Sequence, residues 1–223
     1  MTSTPKTIAI VGGHGKIALQ LIPLLLDAGK HVVALARKDE QLTHLESLGA
    51  TARHLDIEQA DDAAFAEAFA GCDAVVFTAG GGPDGNIERK RTVDLEGALK
   101  SIAGARQAGI DRLVQVSAIG VDKPLPDDVS EVWQAYVAAK RDADAALRDS
   151  GLDWTIIRPG GLTDDAGTGQ VTLAPEVERG SVPRADVAAV VAACLDRPET
   201  AGHQWELVSG DSPIADAVAA ALH

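Results

Sequence analysis

Long hydrophobic runs are missing from this sequence. The longest, Leu21 to Leu26, is interrupted by Pro23 and falls far short of the roughly 20 apolar residues a membrane span needs. No charged-then-apolar leader opens the chain, so no export signal is expected. Positive charge is also scarce: 20 basic residues face 33 acidic ones, a formal charge of −13. Such a surface repels phosphate backbones and anionic lipid heads. That excludes non-specific nucleic-acid and membrane binding but leaves room for a local basic spot that takes a small phosphate ligand. Cysteine is nearly absent, and Cys72 and Cys194 form no metal-spaced pair. They read as buried free thiols, in keeping with a reducing cytoplasm. The histidines are scattered and no metal site is expected.

What remains is ordinary globular material. A chain of 223 residues, 46% apolar and 24% charged, suits one domain around one sizeable core. Short β-rich runs alternate with longer Ala/Leu-rich helical stretches, the pattern of a parallel sheet covered by helices. Strands are expected at Thr7 to Val11, His31 to Ala36, Thr51 to Leu55, Ala74 to Thr78, Arg112 to Val116, Trp154 to Arg158 and Gln204 to Val208. Helices are expected up to about Ala28, then at Asp39 to Leu48, Asp61 to Ala70, after the Gly80 to Asn86 loop through about Ala108, and at Val132 to Asp149 and Asp186 to Leu195. No repeat or linker divides them. The expected fold is one doubly wound α/β domain of Rossmann type over residues 1–223, with the part from about 159 onward contributing to a substrate pocket.

Between the first strand and the first helix stands Gly12-Gly13-His14-Gly15-Lys16-Ile17-Ala18. One glycine permits the tight turn, another lets the backbone approach a pyrophosphate, and the small third residue lets helix and strand pack closely. The helix N-terminus then offers free amides and partial positive charge to the phosphates. This junction predicts dinucleotide binding. Which dinucleotide is read at the end of the second strand. An NAD site usually carries an acid about 20 residues past the glycines. Here the segment ends in Arg37-Lys38, whose guanidinium suits the 2′-phosphate of NADP. NADP is therefore expected ahead of NAD.

Gly12-x-x-Gly15-x-x-Ala18, Asp56 after the third strand and Ala79-Gly80-Gly81 after the fourth resemble the short-chain dehydrogenase/reductase superfamily. Ser117, Tyr136-x-x-x-Lys140 and Arg158-Pro159-Gly160 add to the match. Order and spacing are most similar to its short, atypical members, akin to flavin/biliverdin reductases and NmrA-like sensors and often labelled NAD-dependent epimerase/dehydratase-like. The resemblance implies that Tyr136 is an acid/base whose pKa is lowered by Lys140, which also holds the nicotinamide ribose. It implies that Ser117 hydrogen-bonds the substrate oxygen and that Pro159 and Gly160 pass near the nicotinamide. A charge about 4 Å from the phenol could lower its pKa by up to about three units.

Ser117 and Tyr136 stand 19 positions apart, so a loop holding Pro124 and Pro126 must fold them together. Arg184-Ala-Asp186 is expected to cap the last helix. The segments Gly81 to Asn86, Val121 to Trp133 and Thr163 to Gly180 are expected to line the pocket. After Lys140 only 83 of the 223 residues remain, less than the C-terminal region of nucleotide-sugar epimerases. The leading expectation is an NADPH-dependent reductase of a small carbonyl or similar oxidised substrate. The alternatives are a non-enzymatic NADP(H) sensor and a flavin-type reductase that needs no tyrosine. Whether the protein is a monomer or a homo-oligomer stays open.

Overall fold

A computed structural model describes residues 4–82, 85–126 and 128–223. Eleven strands are seen among them: β1 (Thr7–Val11), β2 (His31–Ala36), β3 (Thr51–His54), β4 (Ala74–Phe77), β5 (Arg112–Val116), β6 (Asp153–Pro159), β7 (Gly161–Thr163), β8 (Gln170–Ala174), β9 (Ser181–Pro183), β10 (His203–Ser209) and β11 (Ser212–Pro213). The helices are α1 (Lys16–Asp27), α2 (Asp39–Ser47), α3 (Asp62–Ala68), α4 (Ile87–Arg89), α5 (Glu96–Gln107), α6 (Glu131–Arg148), α7 (Arg184–Leu195) and α8 (Ile214–Ala221). A π-helical turn (Lys90–Leu95) joins α4 to α5.

Nine strands form one sheet in the order β11-β8-β10-β6-β5-β4-β1-β2-β3, and β7 pairs with β9 separately. The strands from β10 through β3 run parallel, whereas β8 is antiparallel to β10 and β11 to β8. Side chains alternate across the pleat, so each strand feeds two cores. On β1, Ile8 and Ile10 join Leu21, Ile22 and Leu25 of α1 with Val187 and Val191 of α7. Ala9 and Val11 instead join Phe65 of α3, Ala105 of α5 and Leu147 of α6. Helices therefore cover both faces, as the continuous apolar strands predict. β1 feeds β2 on one side while its other neighbour is β4. This reversal of strand order opens the crevice at the carboxyl ends of the strands, where α/β sheets of this kind bind ligands.

Three expectations are corrected. The sheet is not purely parallel: residues 170–174, expected in a loop, form β8, whose buried Val171 and Leu173 alternate with exposed neighbours. The single helix expected after Asn86 through about Ala108 is three pieces, because the chain widens into a π turn where Lys90, Val93 and Asp94 are buried. Asp186 does not cap α7, which starts at Arg184. Its carboxylate accepts from the Thr168 and Gly169 amides at 3.0 and 2.9 Å and so ties down the turn before β8.

Candidate active site

A cleft of about 1110 Å³ runs along the carboxyl ends of the strands, above the roughly 300–1,000 Å³ of common ligand pockets. Its middle is the glycine loop. Gly12 has φ +78°, and a methyl group there would come 2.8 Å from Ala79 Cα, so turn and close approach both demand glycine. Gly13 donates to Leu35 O at 2.9 Å, and a methyl group there would meet Leu35 N at 2.8 Å, so this glycine serves packing against β2. Gly15 precedes α1 without any side chain to cap it, which leaves the first-turn amides for a ligand. Gly12, His14, Gly15, Lys16 and Ile17 line the cleft, while Ala18 is fully buried beneath the loop. His14 Nε2 lies 2.9 Å from His44 Nδ1 on α2. Lys16 and Arg184 both grip Asp164, each at 2.5 Å, and link the loop to the start of α7.

At one end the lining comes from Arg37, Asp56, Ile57 and Glu58. Arg37 Nη1 lies 3.3 Å from Glu58 Oε2, and Arg89 Nε lies 3.9 Å from the same oxygen. Asp56 accepts from the Glu58 amide at 3.0 Å and so shapes this loop. Lys38 is turned to Glu40 at 3.6 Å and is not part of the lining. Glu58, which sequence reasoning did not single out, is the carboxylate that faces both guanidinium groups.

At the other end Tyr136 and Lys140 stand on α6, one turn apart, and Ser130 caps that helix by accepting from the Trp133 amide. Lys140 Nζ is 6.0 Å from the Tyr136 ring centroid. It donates to Val116 O at 3.3 Å and pairs with Asp94 Oδ1 at 3.3 Å. Asp94 is fully buried, and its other oxygen accepts from the Gly81 amide at 2.9 Å. Gly81 itself abuts Arg89 O, where a methyl group would come to 2.7 Å, so the Ala79-Gly80-Gly81 segment is clamped between β4 and the π turn. Asp94 is a site residue that sequence reasoning missed.

Ser117 lines the cleft, but its Oγ donates to Asp144 Oδ2 at 2.8 Å. Asp144 is fully buried and also accepts from Gln115 Nε2 at 2.7 Å and Arg158 Nε at 2.9 Å. Arg158 thus belongs to a polar network under the cleft floor, while Pro159 and Gly160 reach the lining. A methyl group on Gly160 would come 2.3 Å from Gly180 O, so bare backbone is required there. Of the segments expected to line the pocket, Gly81, Gly82 and Gly85, then Ser130, Val132 and Trp133, then Arg179 and Gly180 do so. Pro83, Asp84 and Asp127 lie outside the described residues.

Electrostatics correct one expectation. Burial pushes the Tyr136 phenol up, Lys140 pulls it down, and Asp94 and Asp144 push it up again, so the net shift is upward rather than toward neutrality. Burial lowers the Lys140 ammonium, but Asp94 and Tyr136 outweigh it and the net shift is up. Burial raises Asp144 against the opposing pull of Arg158. At neutral pH the site therefore holds a protonated phenol beside a charged, anchored lysine. Asp94→Asn would leave that lysine buried without its counter-ion. We expect a loss of about 3–5 kcal/mol in denaturant unfolding. A loss under about 1 kcal/mol would mean the pair is not a structural element.

A family model described as NAD(P)H-binding matches residues 12–198. An uncharacterised sugar epimerase, YhfK of Bacillus subtilis, is 41% identical over 95% of this chain and 98% of its own length. Among solved structures, a putative NAD-dependent epimerase/dehydratase from Bacillus halodurans superposes with a TM-score of 0.89 at 38% identity, covering 96% of this chain and 99% of that one. ChuY, an anaerobillin reductase from Escherichia coli O157:H7, gives 0.74 at 28% identity, covering 92% and 98%. The glycine turn, the uncapped helix start and the cleft along the sheet edge agree with these likenesses, and the chain belongs to the NAD(P)H-binding Rossmann family of atypical short-chain dehydrogenase/reductase and epimerase-like proteins.

Proposed function

We propose that this protein is an NADPH-dependent reductase of a small carbonyl compound, with Tyr136 as the proton donor. The observation that carries this reading is the pairing of Tyr136 with Lys140 at the end of a cleft whose middle is a phosphate-binding glycine loop. A reductase among the relatives of similar fold supports it. NADPH, when bound, supplies the hydride to the carbonyl carbon. The glycine loop and the α1 amides would hold the pyrophosphate, and Lys140 the nicotinamide-side ribose. Tyr136, kept protonated by its burial, gives its Oη proton to the carbonyl oxygen as that oxygen gains charge, and the product is the alcohol. The phenolate regains a proton from solvent. Lys140, fixed by Asp94 and Val116 O, stabilises the phenolate meanwhile. Ser117 orients the floor of the site: its proton is committed to Asp144, so toward the cleft its oxygen is an acceptor.

The test is NADPH oxidation across a panel of aldehydes, ketones and quinones. Turnover on at least one class is the expected result. Tight NADPH binding with no turnover on any, and a partner whose affinity follows cofactor occupancy, would favour a sensor instead.

The NADP preference is part of the same proposal. Arg37 and Arg89 both reach Glu58 at the adenosine end, a pair of guanidinium groups that a 2′-phosphate could claim. Charge-assisted bonds of about 1.5–3 kcal/mol would favour NADPH over NADH by roughly 10- to 150-fold. Arg37→Ala should erase most of that margin and leave NADH affinity nearly untouched, and Glu58→Gln should widen it. Equal affinity for the two cofactors in calorimetry of the unmodified protein would refute the preference.

A further inference from the structure

Two lysines, not one, stand beside Tyr136. Lys140 is matched by Asp94, but Lys90 on the π turn is 5% exposed and, among the described residues, has no carboxylate partner. Its ammonium donates to Gly82 O and lies 5.9 Å from the Tyr136 ring centroid. A buried charge normally carries a counter-ion, because leaving it unpaired is costly. Lys90 lines the cleft, so the missing anion can come from whatever the cleft binds. The anionic groups of a dinucleotide have other partners: the α1 N-terminus for the pyrophosphate, and Arg37 with Arg89 at the adenosine end. Lys90 sits instead at the reaction end.

We infer that Lys90 binds a carboxylate of the substrate, which makes the substrate an oxo acid. The inference rests on the reductase reading above and names its substrate class. An ammonium has three donors. One is engaged by Gly82 O, and the two that remain match the two oxygens of a carboxylate. A dianionic phosphate suits one ammonium less well, in a chain of net charge −13. The cleft wall beside Lys90 is apolar and aromatic. Trp133 is 44% exposed and packs against Tyr136 with ring centroids 5.3 Å apart. The body of the acid is therefore apolar, with its carboxylate on Lys90 and its carbonyl at Tyr136.

Benzoylformate and its methyl ester share a phenyl ring and a reducible ketone and differ in charge. Each is titrated calorimetrically into the protein saturated with NADP⁺. The acid should bind about tenfold tighter than the ester or better. In Lys90→Gln, which keeps a donor for Gly82 O, the two should agree within about twofold, with NADP⁺ affinity and melting temperature preserved. Lys90→Met serves the same comparison should the glutamine variant fail to fold.

Equal affinities in the unmodified protein, no binding of the acid at millimolar concentration, or a preference that survives in Lys90→Gln would each overturn the assignment. So would a loss confined to NADP⁺ affinity, which would give Lys90 to the cofactor. The two readings fail separately. NADPH oxidation as fast with the ester as with the acid removes the carboxylate role and leaves the reductase. Selective binding of the acid, with no NADPH oxidation on any compound of the carbonyl and quinone panel, keeps Lys90 in its role and removes the reductase.

Discussion

Tyr136→Phe should reduce turnover by about 10²–10⁴, the usual contribution of a positioned general acid, while NADPH affinity and stability stay close to those of the unmodified protein. The change removes one oxygen, keeps the ring against Trp133, and costs no hydrogen bond seen among the described residues. The pH profile adds an independent reading. Because burial outweighs the pull of Lys140 and holds the phenol above its ordinary value, the proton stays in place through neutral pH. Turnover should therefore hold level and fall only once the pH exceeds about 10. Lys140→Met removes a positive charge that favours the phenolate, so the fall should move to still higher pH, together with slower turnover and weaker cofactor binding. A rate unchanged in Tyr136→Phe would reject this acid and favour direct hydride delivery without it.

The second large effect belongs to the glycine loop. Gly15 has an ordinary extended backbone (φ −73°, ψ 156°) that valine can also adopt, so Gly15→Val should fold. Even a methyl group there would come 3.0 Å from Gly12 O, and valine adds two more at the mouth of the amide nest. Screening several charge-assisted bonds to a pyrophosphate should weaken binding of either dinucleotide by about 100-fold or more. Undiminished cofactor binding in a folded variant would reduce the loop to a plain turn.

The parts of this site that could be read in advance share one property: local sequence alone determines them. β1, the glycine turn and α1 follow from a buried apolar strand, a residue that needs positive φ, and helical spacing. Tyr136 and Lys140 were visible because one helix carries both. What escaped notice depends on groups distant in sequence. Asp94 and Lys90 stand four apart and look like an exposed helix pair, yet each turns inward to a different partner. A π turn has no apolar period of its own to announce it. Glu58 reaches Arg37 from the far side of β3, outside the window where an acid is normally sought. β8 lies among Gly, Thr and Asp residues, and its pairing with β10 and β11 turns that stretch into a strand. The orientation of Ser117 is likewise set by Asp144, 27 residues away.

Isotope transfer tests the central claim most directly. The protein is incubated with NADPH carrying deuterium at C4 of the nicotinamide, each face in turn, and the carbonyl compounds it turns over. The product is then weighed by mass spectrometry. The account predicts one deuterium on the former carbonyl carbon from one of the two labelled faces, and a hydroxyl proton drawn from solvent through Tyr136. An alcohol product free of deuterium with both labels would contradict it.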